Sequence, residues 1–239
     1  MKGPSPENGR GFSKDPASVR DMFSRIAPRY DLMNRLMTLG QDRVWREKLL
    51  QRADIPETAA VLDLGAGTGD LALAVARMRP RAAVTAADFT WAMLARARNR
   101  PGAGKIGWAA ADALALPFAD ASFDVVVSGY LLRNVPDLDR AFAEQLRVLK
   151  PGGRMACLDT APPSGPAAVA VLPVLRFLIP ALGGLVAGDR AAYSYLPETT
   201  RGFLSARDLA GRMKAAGFAD VAYRSFLFST QTAVVGRKP

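Results

Sequence analysis

Histidine is missing from all 239 residues. No imidazole is available as a general base or as a metal ligand. Cysteine is nearly missing. Cys157 stands alone, which excludes an internal disulfide, leaves little for zinc and fits a reducing compartment. No metal site is expected, and Cys157, in an apolar strand-like run, reads as a buried structural thiol. Long apolar runs are also missing. The greasiest stretch, residues 166–187, is interrupted by Pro173, Arg176, Pro180 and the Gly183-Gly184 pair, which makes a poor membrane span. No secretory leader is visible. Residues 1–18 are polar, carry Pro4, Pro6, Gly9, Gly11 and Pro16, and are expected to be flexible. No internal repeat or second boundary divides the rest, so one domain over residues 19–239 is expected.

There is no block of lysine or arginine either, although 32 basic residues against 22 acidic ones give a net charge of +10. Such an excess favours an anionic partner, nucleic acid or an anionic membrane surface, or else reflects a soluble, arginine-rich surface. The even spread argues against a dedicated nucleic-acid tail, and no nucleic-acid partner is expected.

What is present is organised around Val61-Leu62-Asp63-Leu64-Gly65-Ala66-Gly67-Thr68-Gly69-Asp70-Leu71. This stretch opens as an apolar strand, turns through three alternating glycines and enters an alanine- and leucine-rich helical segment. Glycine lets the backbone turn tightly and lets a ligand approach it. The free N–H groups of the following helix point at whatever sits there. Strands are expected over 59–64, 82–87 (ending at Asp88), 106–110, 123–128 and 154–159, with helices over 71–79, 91–100 and 139–149 between them. That alternation implies right-handed βαβ units and a parallel sheet. Ahead of it, Asp15 caps a helix with Pro16 at its first position and Val19, Met22, Phe23 and Ile26 on one face. Further helical segments complete a cap over 19–52. Behind it, Ser205 and Asp208 resemble a capping box for a helix ending at Gly217, and 219–228 with 231–236 read as a closing hairpin. The expected fold class is α/β: a Rossmann-like, seven-stranded, mostly parallel sheet with flanking helices, an N-terminal helical cap and a C-terminal antiparallel hairpin.

Ligands on such sheets sit at the carboxyl ends of the strands. Gly65, Gly67, Thr68 and Gly69, then Asp88-Phe89, Asp112-Ala113 and Ser128-Gly129 all fall there. A dinucleotide loop reads G-x-G-x-x-G. Here the third glycine comes one residue early, and Asp63 and Asp70 flank the loop with negative charge that repels a pyrophosphate. S-adenosylmethionine carries a sulfonium, an amine, a ribose and an adenine but no phosphate, and it fits. The loop and Asp63 approach its methionine portion. Asp88, about 20 residues past the glycines, suits the ribose hydroxyls. Asp112 and the Ala113 N–H suit the adenine. Any one of these acids also serves as a solvated loop residue or a helix cap; their convergence on one edge carries the reading.

Asp63-x-Gly65-x-Gly67-x-Gly69 resembles the first motif of Rossmann-like S-adenosylmethionine-dependent methyltransferases. A closer resemblance extends over roughly residues 19–235. Phe23-Ser24-x-Ile26-Ala27-x-Arg29-Tyr30-Asp31-x-Met33-Asn34 is similar to the N-terminal signature of the ubiquinone/menaquinone biosynthesis C-methyltransferases. So are Gly129-Tyr130-Leu131-Leu132-Arg133-Asn134-Val135, Arg147-Val148-Leu149-Lys150-Pro151-Gly152-Gly153, Tyr195-Leu196-Pro197-Glu198-Thr199 and Ala215-Ala216-Gly217-Phe218. The resemblance implies methylation of a ring carbon of a polyprenylated demethylquinol. It implies that Arg133 stabilises the phenolate, that Asn134 holds a water that carries the proton, and that Tyr30 lines the quinol pocket or joins that water. Read from the residues alone, Arg133-Asn134 only shapes a turn.

The same resemblance makes 161–204 a substrate-side helical insertion. It gives residues 166–187 three readings: a channel or bilayer contact for the prenyl tail, an ordinary core pair, or the face of a homodimer. The expected location is cytoplasmic, peripheral on the inner face of the plasma membrane. The chain departs from the family pattern on the acceptor side. Leu131 stands where glycine is usual, and Gly129 where some members have serine. Leu158-Asp159-Thr160 stands where glutamate and phenylalanine are usual, and the C-terminal strand lacks its usual histidine. These departures leave open a methyltransferase for another lipid or aromatic molecule, an RNA methyltransferase, or a non-catalytic cofactor-binding module.

Overall fold

The computed structural model describes residues 15–164 and 168–239. Helix α1, Pro16–Ile26, starts where the Asp15 carboxylate accepts the Ser18 N–H at 3.0 Å and Pro16 presets φ. Residues 16–18 form the first turn of this helix, and residues 1–14 of the stretch expected to be flexible lie outside the described residues. A 3₁₀ turn over Ala27–Arg29 leads into α2, Tyr30–Thr38. Leu39 and Gly40, both in the left-handed region, turn the chain into α3, Gln41–Ala53.

Strands β1 (Ala60–Leu64), β2 (Ala83–Asp88), β3 (Ile106–Ala110), β4 (Phe123–Gly129), β5 (Leu149–Thr160), β6 (Ala219–Phe226) and β7 (Gln231–Arg237) form one sheet in the order β3-β2-β1-β4-β5-β7-β6. The pairs from β3 to β5 are parallel. β7 is antiparallel to both of its neighbours. Helices α4 (Asp70–Met78), α5 (Trp91–Arg98) and α6 (Leu138–Val148) connect the parallel strands. Alternate residues of β1 and β4 feed opposite faces. Val61, Val125 and Val127 join one apolar cluster with Leu49, Leu50 and Val75, while Leu62, Leu64 and Val126 join another with Phe142 and Met155. The central strands are buried on both faces, as a continuous β-branched run requires.

Two elements differ from the sequence expectation. Lys150-Pro151-Gly152-Gly153 does not precede the fifth strand but lies inside β5. The register jumps from Phe123↔Leu149 to Val125↔Arg154, so the extra residues form a bulge with Gly152 at φ 76°. The prolines and glycines that interrupt this stretch in sequence do not break the helical path over residues 168–187. α7 (Ala168–Pro173) and α8 (Ile179–Leu182) are joined and followed by π-helical turns at Val174–Leu178 and Gly183–Ala187. The wider π turn takes up the hydrogen bonding that each proline disrupts, so the helical path continues. α9, Arg190–Arg201, also carries a proline inside it, Pro197. α10, Ala206–Ala215, precedes β6.

The cap divides its packing. α3 inserts Trp45, Leu49 and Leu50 against the sheet. α1 and α2 instead pack Val19, Met22, Ile26 and Met33 against Ile179, Tyr193 and Tyr195 of the 168–201 helices. Arg25 pairs with Asp189 at 3.1 Å, and Arg29 donates to the Val186 carbonyl, so the cap and the insertion are tied above the carboxyl edge of the sheet.

Candidate active site

The glycine loop follows β1 directly. Gly65, Gly67 and Gly69 have φ of 68°, 55° and 83°. A Cβ at Gly65 would lie 2.9 Å from Leu131, and one at Gly69 2.8 Å from Trp108. A Cβ at Gly67 would meet no atom within 4 Å. Two of the glycines therefore serve packing, and the middle one leaves open space where a ligand can approach. The Gly65 and Ala66 N–H groups donate to the Ala87 carbonyl, and the Gly67 N–H donates to Asp88 Oδ2 at 2.8 Å. Asp88 Oδ1 accepts the Thr90 N–H at 2.7 Å. The carboxylate thus ties the first loop to the second and keeps lone pairs for further donors. Burial pushes its pKa up, against the pull of those hydrogen bonds.

Asp63 is buried. Its Oδ2 accepts the Ala72 N–H at 2.8 Å, which ties β1 to the first turns of α4, and its Oδ1 has no partner among the described residues. Burial, with Asp88 nearby, pushes its pKa up to about 7. The carboxyl of Asp70 is lowered instead. Arg46 and Arg100, at 3.5 and 2.7 Å, outweigh the opposing effect of burial. Asp70 is paired with two arginines and burial favours the protonated form of Asp63, so the loop repels an anion less than its sequence suggests. Arg46, on α3, also holds Asp42.

Small cavities run along this loop. One of about 60 Å³ is lined by Gly65, Asp88, Phe89, Asp112, Ala113 and Asn134. Asp112 is exposed and caps its own turn, accepting the Leu114 N–H at 2.9 Å. Another, of about 30 Å³, is lined by Tyr30, Arg46, Asp63, Gly67, Thr68 and Tyr130. A third joins Gly65, Asp88 and Phe89 to Gly129, Tyr130 and Asn134. The Thr68 hydroxyl binds Asp31 of the cap at 2.5 Å. The Ser128 hydroxyl is buried without a partner among the described residues and lines none of these three spaces.

Beyond the loop lies a larger apolar cavity of about 350 Å³, bounded by α1, α2, the 168–201 helices and the β6–β7 turn. Its polar wall holds Tyr30, Tyr130, Arg133, Tyr195 and Gln231. Arg133 is buried, and its Nη1 donates to Asp159 Oδ1 at 2.8 Å. Burial works against its charge, but the Asp159 carboxylate prevails and its pKa is raised. Asn134 Nδ2 donates to the Tyr130 carbonyl at 2.9 Å, and its Oδ1 accepts from Tyr195 Oη at 3.2 Å. Tyr30 is half-buried and lines both the apolar cavity and the loop cavities. Burial raises its pKa, partly offset by Asn34, Arg133 and Arg46. Tyr30, Arg133 and Asn134, separated by a hundred residues in sequence, thus meet at one junction.

The sequence profile of the ubiE/COQ5 methyltransferase family matches residues 12–238. The chain belongs to this family. It is a methyltransferase. A ubiquinone/menaquinone biosynthesis C-methyltransferase of Desulfotalea psychrophila is 48% identical over 223 residues, covering 92% of this chain and 89% of that one. A demethylmenaquinone methyltransferase of Thermus thermophilus is 42% identical over 221 residues, covering 91% of this chain and all of that one. Among solved structures, Haemonchus contortus phosphoethanolamine N-methyltransferase 2 in complex with S-adenosylmethionine superposes with a TM-score of 0.61 at 17% identity. That match covers 82% of this chain and 52% of the other and shows a shared fold.

Four residues that line these cavities or brace their walls carry no site signal in the sequence: Arg46, Asp159, Tyr195 and Tyr130. Asp159 is the partner of Arg133, and its only sequence signal was a departure from the family pattern. Arg46 sits among other charges on a polar helix, and nothing in its spacing marks it as buried.

Proposed function

We propose that this methyltransferase transfers a methyl group from S-adenosylmethionine to a ring carbon of a polyprenylated demethylquinol. One observation carries the reading: an apolar cavity and a glycine-loop site of opposite character share the walls Tyr30 and Tyr130. An apolar acceptor held in the first lies beside a polar cofactor held in the second, and that proximity is the main catalytic requirement of a direct transfer. The names of the two relatives supply the acceptor class.

When bound, S-adenosylmethionine supplies an electrophilic methyl on sulfur. The residues fit it. Asp63, whose Oδ1 is buried without a partner among the described residues, belongs to the lining of the cavity that a cationic amine would enter, and Gly67 leaves room beside it. Asp88 keeps lone pairs for ribose hydroxyls, and Asp112 with Ala113 lines the adenine end. On the acceptor side, Arg133, fixed by Asp159, places positive charge where the quinol oxygen gains negative charge. Asn134 orients a water that takes the proton, and Tyr30 walls the ring.

Exposed apolar side chains lie at and beside the cavity: Phe228 lines it, and Phe177 and Leu185 belong to the π-helical turns at Val174–Leu178 and Gly183–Ala187. Phe177, Leu185 and Phe228 are 65%, 84% and 61% exposed. Among the described residues no helix is long and apolar enough to cross a membrane. The 168–187 face therefore rests on the bilayer surface and admits the prenyl tail, with Arg176 beside it. Quinone profiling of a deletion strain tests the whole reading. A demethylated quinone should accumulate, and an unchanged quinone pool would refute the acceptor.

A further inference from the structure

Tyr130 carries two costs, a left-handed backbone and an unpaired hydroxyl, that its ring contacts do not require. Its φ is 62°, in the left-handed region that side-chain-bearing residues seldom adopt. The backbone is locked there, with the Tyr130 N–H donating to the Leu158 carbonyl at 2.7 Å and its own carbonyl accepting from Asn134. The hydroxyl is buried and has no hydrogen-bond partner among the described residues, whereas native proteins pair nearly all such groups. Phenylalanine would set the same ring between the same neighbours without leaving a hydroxyl unpaired.

Those neighbours say what the hydroxyl awaits. The Arg133 and Arg46 guanidiniums lie 5.1 and 5.7 Å from the ring centroid. Both are held by acids, Arg133 by Asp159 and Arg46 by Asp42 and Asp70, so the ring sits in a polar, paired corner of the apolar cavity. Burial raises the Tyr130 pKa despite both arginines, so the group carries its proton at neutral pH and acts as a donor. Tyr130 lines the apolar cavity and the loop cavities together. A molecule entering through the apolar mouth reaches it with its inner, polar end.

We infer that Tyr130 Oη donates a hydrogen bond to a ring oxygen of the acceptor, and that it fixes which ring carbon faces the methyl donor. The inference rests on the quinol reading above. Arg133 contributes charge and Tyr130 contributes direction; the tyrosine keeps its proton throughout.

The test is Tyr130→Phe, compared with wild type using S-adenosylmethionine and a short-tailed demethylmenaquinol. We expect kcat/KM for the acceptor to fall about tenfold. The Kd for S-adenosylmethionine, read by calorimetry, should stay within about twofold, and Tm should rise because the unpaired hydroxyl is gone. Wild-type turnover with an unchanged kcat/KM in the variant overturns the inference and leaves the quinol reading standing. A lowered Tm also overturns it, because the hydroxyl would then have a structural partner. No turnover by the wild type overturns both.

Discussion

Arg133 and Asp159 form a buried ion pair in which each charge depends on the other. Removing one partner strands the other charge, so Arg133→Ala should cost about 3–5 kcal/mol of stability by denaturant unfolding. Adding Asp159→Asn should recover part of that stability and none of the turnover. Recovery of both would make the arginine merely structural. Asp63 gives a second outcome. Folded Asp63 holds its proton to about pH 7, while an unfolded aspartate releases it near pH 4. Protonation therefore favours the folded chain, and the stability this group contributes is lost as pH rises from about 4 through 7. Unfolding curves at pH 5 and pH 8 should show that loss in the wild type and a smaller one in Asp63→Asn. The individual acids were legible from spacing, because a carboxylate at a strand end has a limited set of uses. Their protonation and pairing were not. Those depend on Arg46 and Arg100, which reach Asp70 from 24 residues before it and 30 after it.

Elements obey local rules where the chain is local. The Ser205 side chain accepts the Asp208 N–H at 3.2 Å and donates to the Asp208 carboxylate at 2.7 Å, as the capping pattern implies. Ser205→Ala should cost about 1 kcal/mol in thermal or denaturant unfolding. The glycine loop, the alternating strands and the hairpin were legible for the same reason: period, turn residues and caps lie within a few positions of each other. The continuous helical path of 168–187 is not legible in the sequence, because Pro173, Pro180 and Gly183-Gly184 are breakers in an α-helix and the wider turn that accommodates them leaves no mark in composition. Likewise Gly152-Gly153 looked like a turn before a strand, and only pairing with β4 makes it a bulge within one.

For the molecule as a whole, the proposed membrane contact draws on charge and apolar surface together. A net charge of +10 and an exposed apolar face suit an anionic bilayer, where basic residues attract and apolar side chains insert. Binding to vesicles containing phosphatidylserine should weaken from 50 to 500 mM salt. Phe177→Asp with Leu185→Asp should reduce it tenfold or more, while Tm stays near the wild-type value because both side chains are exposed. Vesicle binding that ignores both changes would refute the proposed membrane role of this face.

The sheet order carries a last consequence, for synthesis. β7 lies between β5 and β6, yet it follows both along the chain. Until the ribosome delivers Gln231–Arg237, β5 offers an open hydrogen-bonding edge, and β6 has no neighbour to pair with. The nascent protein is thus an unfinished sheet with its binding loops already made and its acceptor cavity still lacking Gln231 and Thr230. A chain stalled or trimmed within its last strand would expose that edge, and aggregation rather than weak activity is the expected phenotype.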